Sequence, residues 1–275
     1  MKSGKYNLVA ENPQSTVVAE YTPDKKRAVH YQSEAELEHA FIEQLKSQAY
    51  EYLSIVSETD LIRNLRQQLE KLNGFTFSDA EWERFFTGEI ANPNQSIAEK
   101  TATIQEDYIK NLKRDDGTVK NVYLLRKDKI HENSLQVIDQ YTTEEGQRVN
   151  RYDVTVLVNG LPLVHIELKR RGVAIQEAFN QINRYQRESF WAGSGLFEYV
   201  EIFVISNGTH TKYYSNTTRS EHIKESSEGA IKKGKRSSNS FEFTSWWADV
   251  TNRPITDLMD FAKTFFAKHA ILNIL

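Results

Sequence analysis

"RYDVTVLVNGLPLVHIELKRR", residues 151–171, is the stretch on which the fold turns. Two apolar runs flank Asn159-Gly160, and this pattern predicts a strand pair joined at that dipeptide. Side chains alternate between faces along a strand. In the first run Tyr152, Val154, Val156 and Val158 share one face, while Asp153 and Thr155 take the other. In the second, Val164, Ile166 and Leu168 oppose His165, Glu167 and Lys169. A two-residue Asn159-Gly160 loop pairs Val158 with Leu161 and sets Asp153 opposite Ile166, so the apolar faces disagree. A three-residue loop, Val158-Asn159-Gly160, with Gly160 left-handed and a bulge beside it, restores agreement. We therefore expect an odd register that gathers Asp153, Glu167 and Lys169 on one face, with Glu167 and Lys169 roughly 7 Å apart along the strand.

Two readings of these charges stand on the residues alone. One is a solvated sheet face carrying a cross-strand charge pair worth ~0.5 kcal/mol. The other is a metal site. Neighbouring carboxylates stay ionised together when a cation sits between them, and a hard oxygen donor set favours Mg²⁺. Such an ion lowers the pKa of a bound water, and Lys169 is placed to orient that water or to offset charge on a phosphate.

Around this pair the chain reads as helices first and a mixed sheet afterwards. "YQSEAELEHAFIEQLKSQAY" (31–50) predicts a helix capped by Ser33 with Glu36 three residues on, and Leu37, Phe41, Ile42 and Leu45 as its apolar stripe. "TDLIRNLRQQLEKLNG" (59–74) predicts a second helix stopped at Asn73-Gly74, and "SDAEWERFFTGEI" (78–90) a third. An Asn/Pro break then precedes "SIAEKTATIQEDYIKNL" (96–112). "NVYLL" (121–125) and "SLQVIDQY" (134–141) are candidate strands, "VAIQEAFNQINRYQRESF" (173–190) an amphipathic helix, and "YVEIFVISNGTHTKYYSN" (199–216) a second strand pair about Asn207-Gly208. The fold class expected is α/β, a mixed sheet flanked by helices behind an N-terminal helical region.

Residues 1–30 are polar and weakly periodic, and the first 13 are expected to be flexible. Residues 219–240, rich in Ser, Lys and Glu, are expected to form a mobile insertion. Within them Gly229 to Lys235 imitates most of a P-loop, but Arg236 stands where Ser or Thr is needed and no hydrophobic strand leads in, so no nucleotide site is expected in this chain. Residues 256–275 predict a C-terminal helix, and the apolar ending "AILNIL" suggests that the natural protein continues past it.

Composition narrows the classes further. The 275 residues are 39% hydrophobic, with 14 Phe, 13 Tyr and 4 Trp, enough for a large core and unlike a disordered chain. Cysteine is absent, which excludes disulfides, thiolate metal sites and cysteine nucleophiles and suits a cytoplasmic location. The N-terminus lacks an apolar core of about 7 to 15 residues, and no apolar run approaches ~18, so neither a signal peptide nor a membrane partner is expected. A net charge of −3 does not advertise a nucleic-acid binder, so any DNA affinity has to come from a local basic patch or from another domain.

Asp153, thirteen intervening residues and then Glu167-Leu168-Lys169 resembles the PD-(D/E)xK nuclease core. The longer stretch "NRYDVTVLVNGLPLVHIELKRRGVAIQEAFNQINRY" (150–185) is similar to the nuclease domain of the restriction (R) subunit of type I restriction-modification enzymes, a likeness running from "YQSEAELE" to "AKHAILNIL". The family motifs map onto Asp153, onto Glu167 and Lys169, and onto a Gln-x-x-x-Tyr element at Gln181 and Tyr185. Tyr152 stands in place of the family's proline, a common departure.

What the resemblance implies is an Mg²⁺-dependent endonuclease domain over residues 1–255. It would cut double-stranded DNA after ATP-driven translocation by a helicase-like motor, with residues 256–275 leading toward that motor and ATP used only there. Partners implied are the methyltransferase and specificity subunits, the latter reading the DNA sequence. Asp153, Glu167 and Lys169 would be catalytic, and the first two metal ligands. Gln181 and Tyr185, one helical turn apart, are either a polar helix edge or a brace for the site or DNA. Glu38 is either a boundary residue or a carboxylate directed at the metal. His165 reads as a neutral neighbour, and Arg170, Arg171 and Arg184 are candidate phosphate contacts. Alternatives in other classes are a catalytically silent docking module on the same fold and a related DNA repair nuclease.

Overall fold

The computed structural model describes residues 6–12, 15–21, 32–143, 150–216 and 239–275. In chain order the elements are β1 (Tyr6–Asn12), β2 (Ser15–Tyr21), α1 (Glu34–Ser47), β3 (Glu51–Tyr52), α2 (Glu58–Asn73), α3 (Asp79–Phe85), α4 (Ile97–Gln105), β4 (Ile109–Lys113), β5 (Val119–Tyr123), β6 (Leu135–Thr143), β7 (Asn150–Val158), β8 (Leu161–Leu168), α5 (Ile175–Glu188), β9 (Ile202–Ser206), β10 (Thr211–Ser215), α6 (Leu258–Phe265) and α7 (Lys268–Ile274). The main sheet has six strands in the order β10-β9-β8-β7-β6-β3. It is mixed: β6/β7 and β9/β10 pair antiparallel, while β3/β6 pair parallel. The expected α/β class with a mixed sheet flanked by helices is therefore the observed one. Among the described residues no helix is long and apolar enough to cross a membrane.

The chain divides into two compact units. One comprises residues 1–49, 166–183 and 202–274, the other residues 50–165, 184–201 and Leu275. In the first, α1 begins with the expected capping box, in which the Glu36 backbone N–H donates to the Ser33 hydroxyl and the Ser33 N–H to the Glu36 carboxylate. Leu37, Phe41, Ile42 and Leu45 form its buried stripe. Phe41 meets Phe266 edge to face at 5.6 Å, and the Gln48 side-chain amide donates to the Ala262 carbonyl at 3.1 Å. The C-terminal segment is two helices rather than the single one expected. The break falls at residues 266–267, just after Phe265, and Phe265 and Phe266 are both fully buried. β1 and β2 form an antiparallel hairpin, a pairing that the weak periodicity of residues 1–30 did not foretell. Residues 1–5 and 13 of the expected flexible stretch, and nearly all of the expected 219–240 insertion with its P-loop imitation, lie outside the described residues.

In the second unit α2 buries Leu61, Leu65 and Leu69 and ends, as expected, at a left-handed Gly74. Its buried Asn64 exchanges two hydrogen bonds with Gln136 on β6, at 2.9 and 3.2 Å. The segment 96–112 is helical only as far as Gln105; its end becomes β4, paired with β5 through a turn at Gly117.

The β7–β8 connection corrects the expected three-residue loop. It is a two-residue turn with both members left-handed, Asn159 at φ +50° and Gly160 at φ +86°. That turn matches the twist of the strands it joins. Asn159 is buried, and its side-chain amide donates to the Leu124 carbonyl and to Asn133 Oδ1, while its Oδ1 accepts from the Ser134 N–H. Gly160 is required twice over, because a Cβ there would lie 2.6 Å from Leu65 Cα of α2. Along β6, Gln140 has φ +53°, within a β6–β7 ladder that keeps one register from Leu135↔Val158 to Thr143↔Asn150. Tyr152 and Thr155 both reach His165, the ring at 5.6 Å and the hydroxyl at 3.4 Å.

Replacing Gly160 with Ala is expected to cost roughly 2–5 kcal/mol, from left-handed strain together with the clash on α2. Gly117→Ala, equally left-handed but facing open space, is expected to cost about 1 kcal/mol. Urea unfolding midpoints of the two variants test the difference; equal losses would mean that the approach to α2 is not tight.

Candidate active site

β8 is buried at all eight positions, which explains a near-continuous apolar run and makes the charge inside it costly. Glu167 is fully enclosed. Lys169, two residues on and therefore on the same face, places Nζ 2.8 Å from Glu167 Oε1 and 3.0 Å from the Leu168 carbonyl, while its backbone N–H donates to Ser206 O at 2.8 Å. Glu167 and Lys169 thus form an ion pair with the glutamate fully buried and the lysine partly so, a contact the sequence did not indicate. Glu38, on α1 of the same unit, is buried among that helix's apolar residues.

The arginines after β8 differ in what they do. Arg170 is exposed, and its backbone N–H donates to Glu34 Oε1 at 3.3 Å. Arg171 is half-buried: it donates to Gln32 Oε1 and Thr209 Oγ1 and lies 3.8 Å from Asp257, so its guanidinium ties the unit's own loops together.

In the other unit Asp153 is half-exposed on β7. Tyr185, the last residue of the Gln-x-x-x-Tyr element, is fully buried and donates its hydroxyl to the Arg151 carbonyl at 2.8 Å, two residues before Asp153. Arg184 is exposed, with its guanidinium 5.4 Å from the Tyr185 ring centre. His165 is fully buried, with Nδ1 3.4 Å from Thr155 Oγ1 and the rings of Tyr152, Tyr185 and Phe190 within 6.0 Å. That enclosure removes it from water. Gln181 is half-buried on α5.

Sequence reasoning missed two features here. Ser189, just past α5, bonds both Tyr152 and Asn150; a lone serine at a helix end carries no sequence signal. Glu201, before β9, is buried, and burial pushes its carboxyl up to about 7 against the pull of the Gln105 amide at 3.2 Å and the nearby Lys127 charge. Nothing in "YVEIFV" marks it, because its burial comes from distant chain.

An aspartate on one strand and Glu-x-Lys on the next, in a mixed sheet flanked by helices, is consistent with a nuclease core of the PD-(D/E)xK kind. Residues 31–222 match the family described as type I restriction enzyme R protein N terminus, and the chain belongs to that family. It is 46% identical over 268 residues to the Type I restriction enzyme EcoprrI endonuclease subunit of Escherichia coli, a match spanning 97% of this chain and 80% of that protein. It is 41% identical over 242 residues to the SsaAORF53P endonuclease subunit of Staphylococcus saprophyticus, and 26% over 218 residues to the putative MjaIXP endonuclease subunit of Methanocaldococcus jannaschii. Those matches span 86% and 70% of this chain but only 23% and 20% of the two relatives.

Because Glu201 prefers its protonated form when folded, its contribution to stability is complete below the ordinary carboxyl value of 4.5 and is lost as pH rises through about 7. Glu201→Gln is therefore expected to match wild type near pH 5 and to exceed it by roughly 2–3 kcal/mol at pH 8. Urea midpoints at the two pH values check this; a variant that loses stability equally at both would show that the carboxylate, not the acid, is the folded form.

Proposed function

We propose that this chain is the nuclease module of a type I restriction enzyme R subunit, with Asp153, Glu167 and Lys169 as its catalytic residues and double-stranded DNA as substrate. The observation that carries the reading is a carboxylate enclosed within a central strand and held by an ammonium two residues on, in a chain of this family. A purely structural strand gains nothing from that pair, since an apolar pair of similar volume is often as stable or more so.

The two carboxylates are oxygen donors, the type a hard divalent cation takes, and the chain has no cysteine to offer a softer one. Among the described residues no group of three or more His, Cys, Asp or Glu gathers at one point, so the protein would supply two ligands at most. Asp153 and Glu167 would then supply carboxylate oxygens to Mg²⁺, leaving the remaining positions to water and phosphate. When bound, that ion lowers the pKa of a coordinated water and offsets charge on the phosphate. In hydrolysis the water oxygen bonds to phosphorus, the P–O ester bond breaks, and the leaving oxygen receives a proton. Lys169 contributes a fixed ammonium whose donors orient the water or stabilise the charge developing on the phosphate. Tyr185 steadies the first strand through the Arg151 carbonyl, Gln181 and Glu38 are supporting residues of the site, and exposed Arg170 and Arg184 contact phosphates, with Arg171 contributing charge from its tied position.

The larger reading belongs to the same proposal. Residues 1–255 form the nuclease domain and 256–275 lead toward an ATP-driven motor. The methyltransferase and specificity subunits assemble with the R subunit in the cytoplasm. ATP acts at the motor alone.

In the assembled complex, Asp153→Ala and Lys169→Ala are each expected to lower plasmid cleavage by roughly 10²-fold or more, while ATP hydrolysis stays near wild type. Undiminished cutting by both variants would sink the assignment and favour a silent docking module.

A further inference from the structure

We infer that Ser189 is a positioning residue for Asp153, acting through Asn150 and Tyr152 at the start of β7; the inference rests on the reading of Asp153 as a metal ligand. Its basis is a buried hydrogen-bond hub behind the strand. Ser189 Oγ accepts from the Tyr152 hydroxyl at 2.7 Å and from Asn150 Nδ2 at 3.1 Å, and donates to the Tyr185 carbonyl at 3.4 Å. A serine hydroxyl has one proton and two lone pairs, so this arrangement uses its whole capacity. Ser189, Asn150 and Tyr152 are all buried.

Tyr185 completes the arrangement from the same helix, donating to the Arg151 carbonyl at 2.8 Å. Residues 150, 151 and 152 are therefore each fastened, by side chain, carbonyl and side chain, to the last turn of α5 and the residue after it. Asp153 comes next. Across the β6–β7 ladder it faces the left-handed Gln140. The hub fixes the strand immediately upstream of it.

The surroundings show why the hydroxyl matters in addition to packing. Tyr152 is ringed by Tyr185, Phe190 and Phe197 with centroids 4.7 to 4.9 Å away, yet together with Ser189 it also lines a cavity of about 460 Å³. The cavity wall continues through Ser57, Thr59, Tyr141 and Thr143. Without the Ser189 acceptor, the Tyr152 hydroxyl and the Asn150 amide lose their shared partner at the edge of that cavity. Asp153 is bonded to Tyr152 through the backbone and moves with it. Partners that orient a metal ligand typically govern metal affinity by about 10- to 100-fold.

The test compares Ser189→Ala, Ser189→Thr, Tyr152→Phe and Asp153→Ala in the assembled complex without nucleotide or DNA. Calorimetry reads Mn²⁺ binding, and the Asp153-dependent part is the wild-type isotherm less that of Asp153→Ala. For Ser189→Ala this part is expected to weaken about 10-fold, for Ser189→Thr, which keeps the hydroxyl, to stay within about 3-fold, and for Tyr152→Phe to shift in the direction of Ser189→Ala. Cleavage should follow the same order while ATP hydrolysis remains unchanged. Unaltered Asp153-dependent Mn²⁺ binding in Ser189→Ala would overturn the inference, as would equal weakening in the alanine and threonine variants. If Ser189→Ala fails to assemble, Tyr152→Phe, which removes one hydroxyl and keeps the ring, decides alone: unchanged Mn²⁺ affinity overturns the inference. Should Asp153→Ala bind Mn²⁺ and cut DNA like wild type, the metal-site reading itself is what fails.

Discussion

An ionised carboxylate shut inside a central strand is tolerated only with a cation in contact, and Glu167 meets this condition through Lys169 at 2.8 Å. The constraint reaches outward along β8. Glu167 and Lys169 must be an even number of residues apart to share a face, and the residues between and before them must be apolar to fill the sheet. Breaking the pair from either side leaves a buried charge uncompensated, so the segment can be stable while remaining intolerant of change.

Face counting in residues 151–171 leads to an extra loop residue and a bulge at the turn, and the turn is a poor place for either. Asn159 has its amide fully engaged by Leu124, Asn133 and Ser134, and Gly160 presses on the backbone of Leu65, so the two-residue geometry is dictated by neighbours distant in sequence. The left-handed residue along this ladder is Gln140, on β6.

What was legible in the sequence follows the same division between local and distant causes. The Ser33 cap with Glu36, the Gly74 stop and the amphipathic stripe of α1 are written in neighbouring residues, and each is found as read. The split of the C-terminal helix depends on Phe266 meeting Phe41, and the β4 strand depends on a partner across a turn. Ser189 is the clearest case: its role exists only because residues 150 and 152 return to it some 37 to 39 positions later. Arg171 shows the converse, a residue whose type suggests phosphate and whose surroundings have already claimed part of its guanidinium.

Charge distribution completes the physical picture. With 38 acidic against 35 basic side chains, the module does not draw a polyanion by its overall field. Of the three arginines near the motif, Arg170 and Arg184 are exposed while Arg171 is partly committed to Gln32, Thr209 and Asp257. A few exposed cations position a backbone that is already present; they do not capture one at physiological salt, where each phosphate contact is worth little alone. If the proposed nuclease reading holds, such a surface is suited to DNA already held nearby rather than to capture from solution.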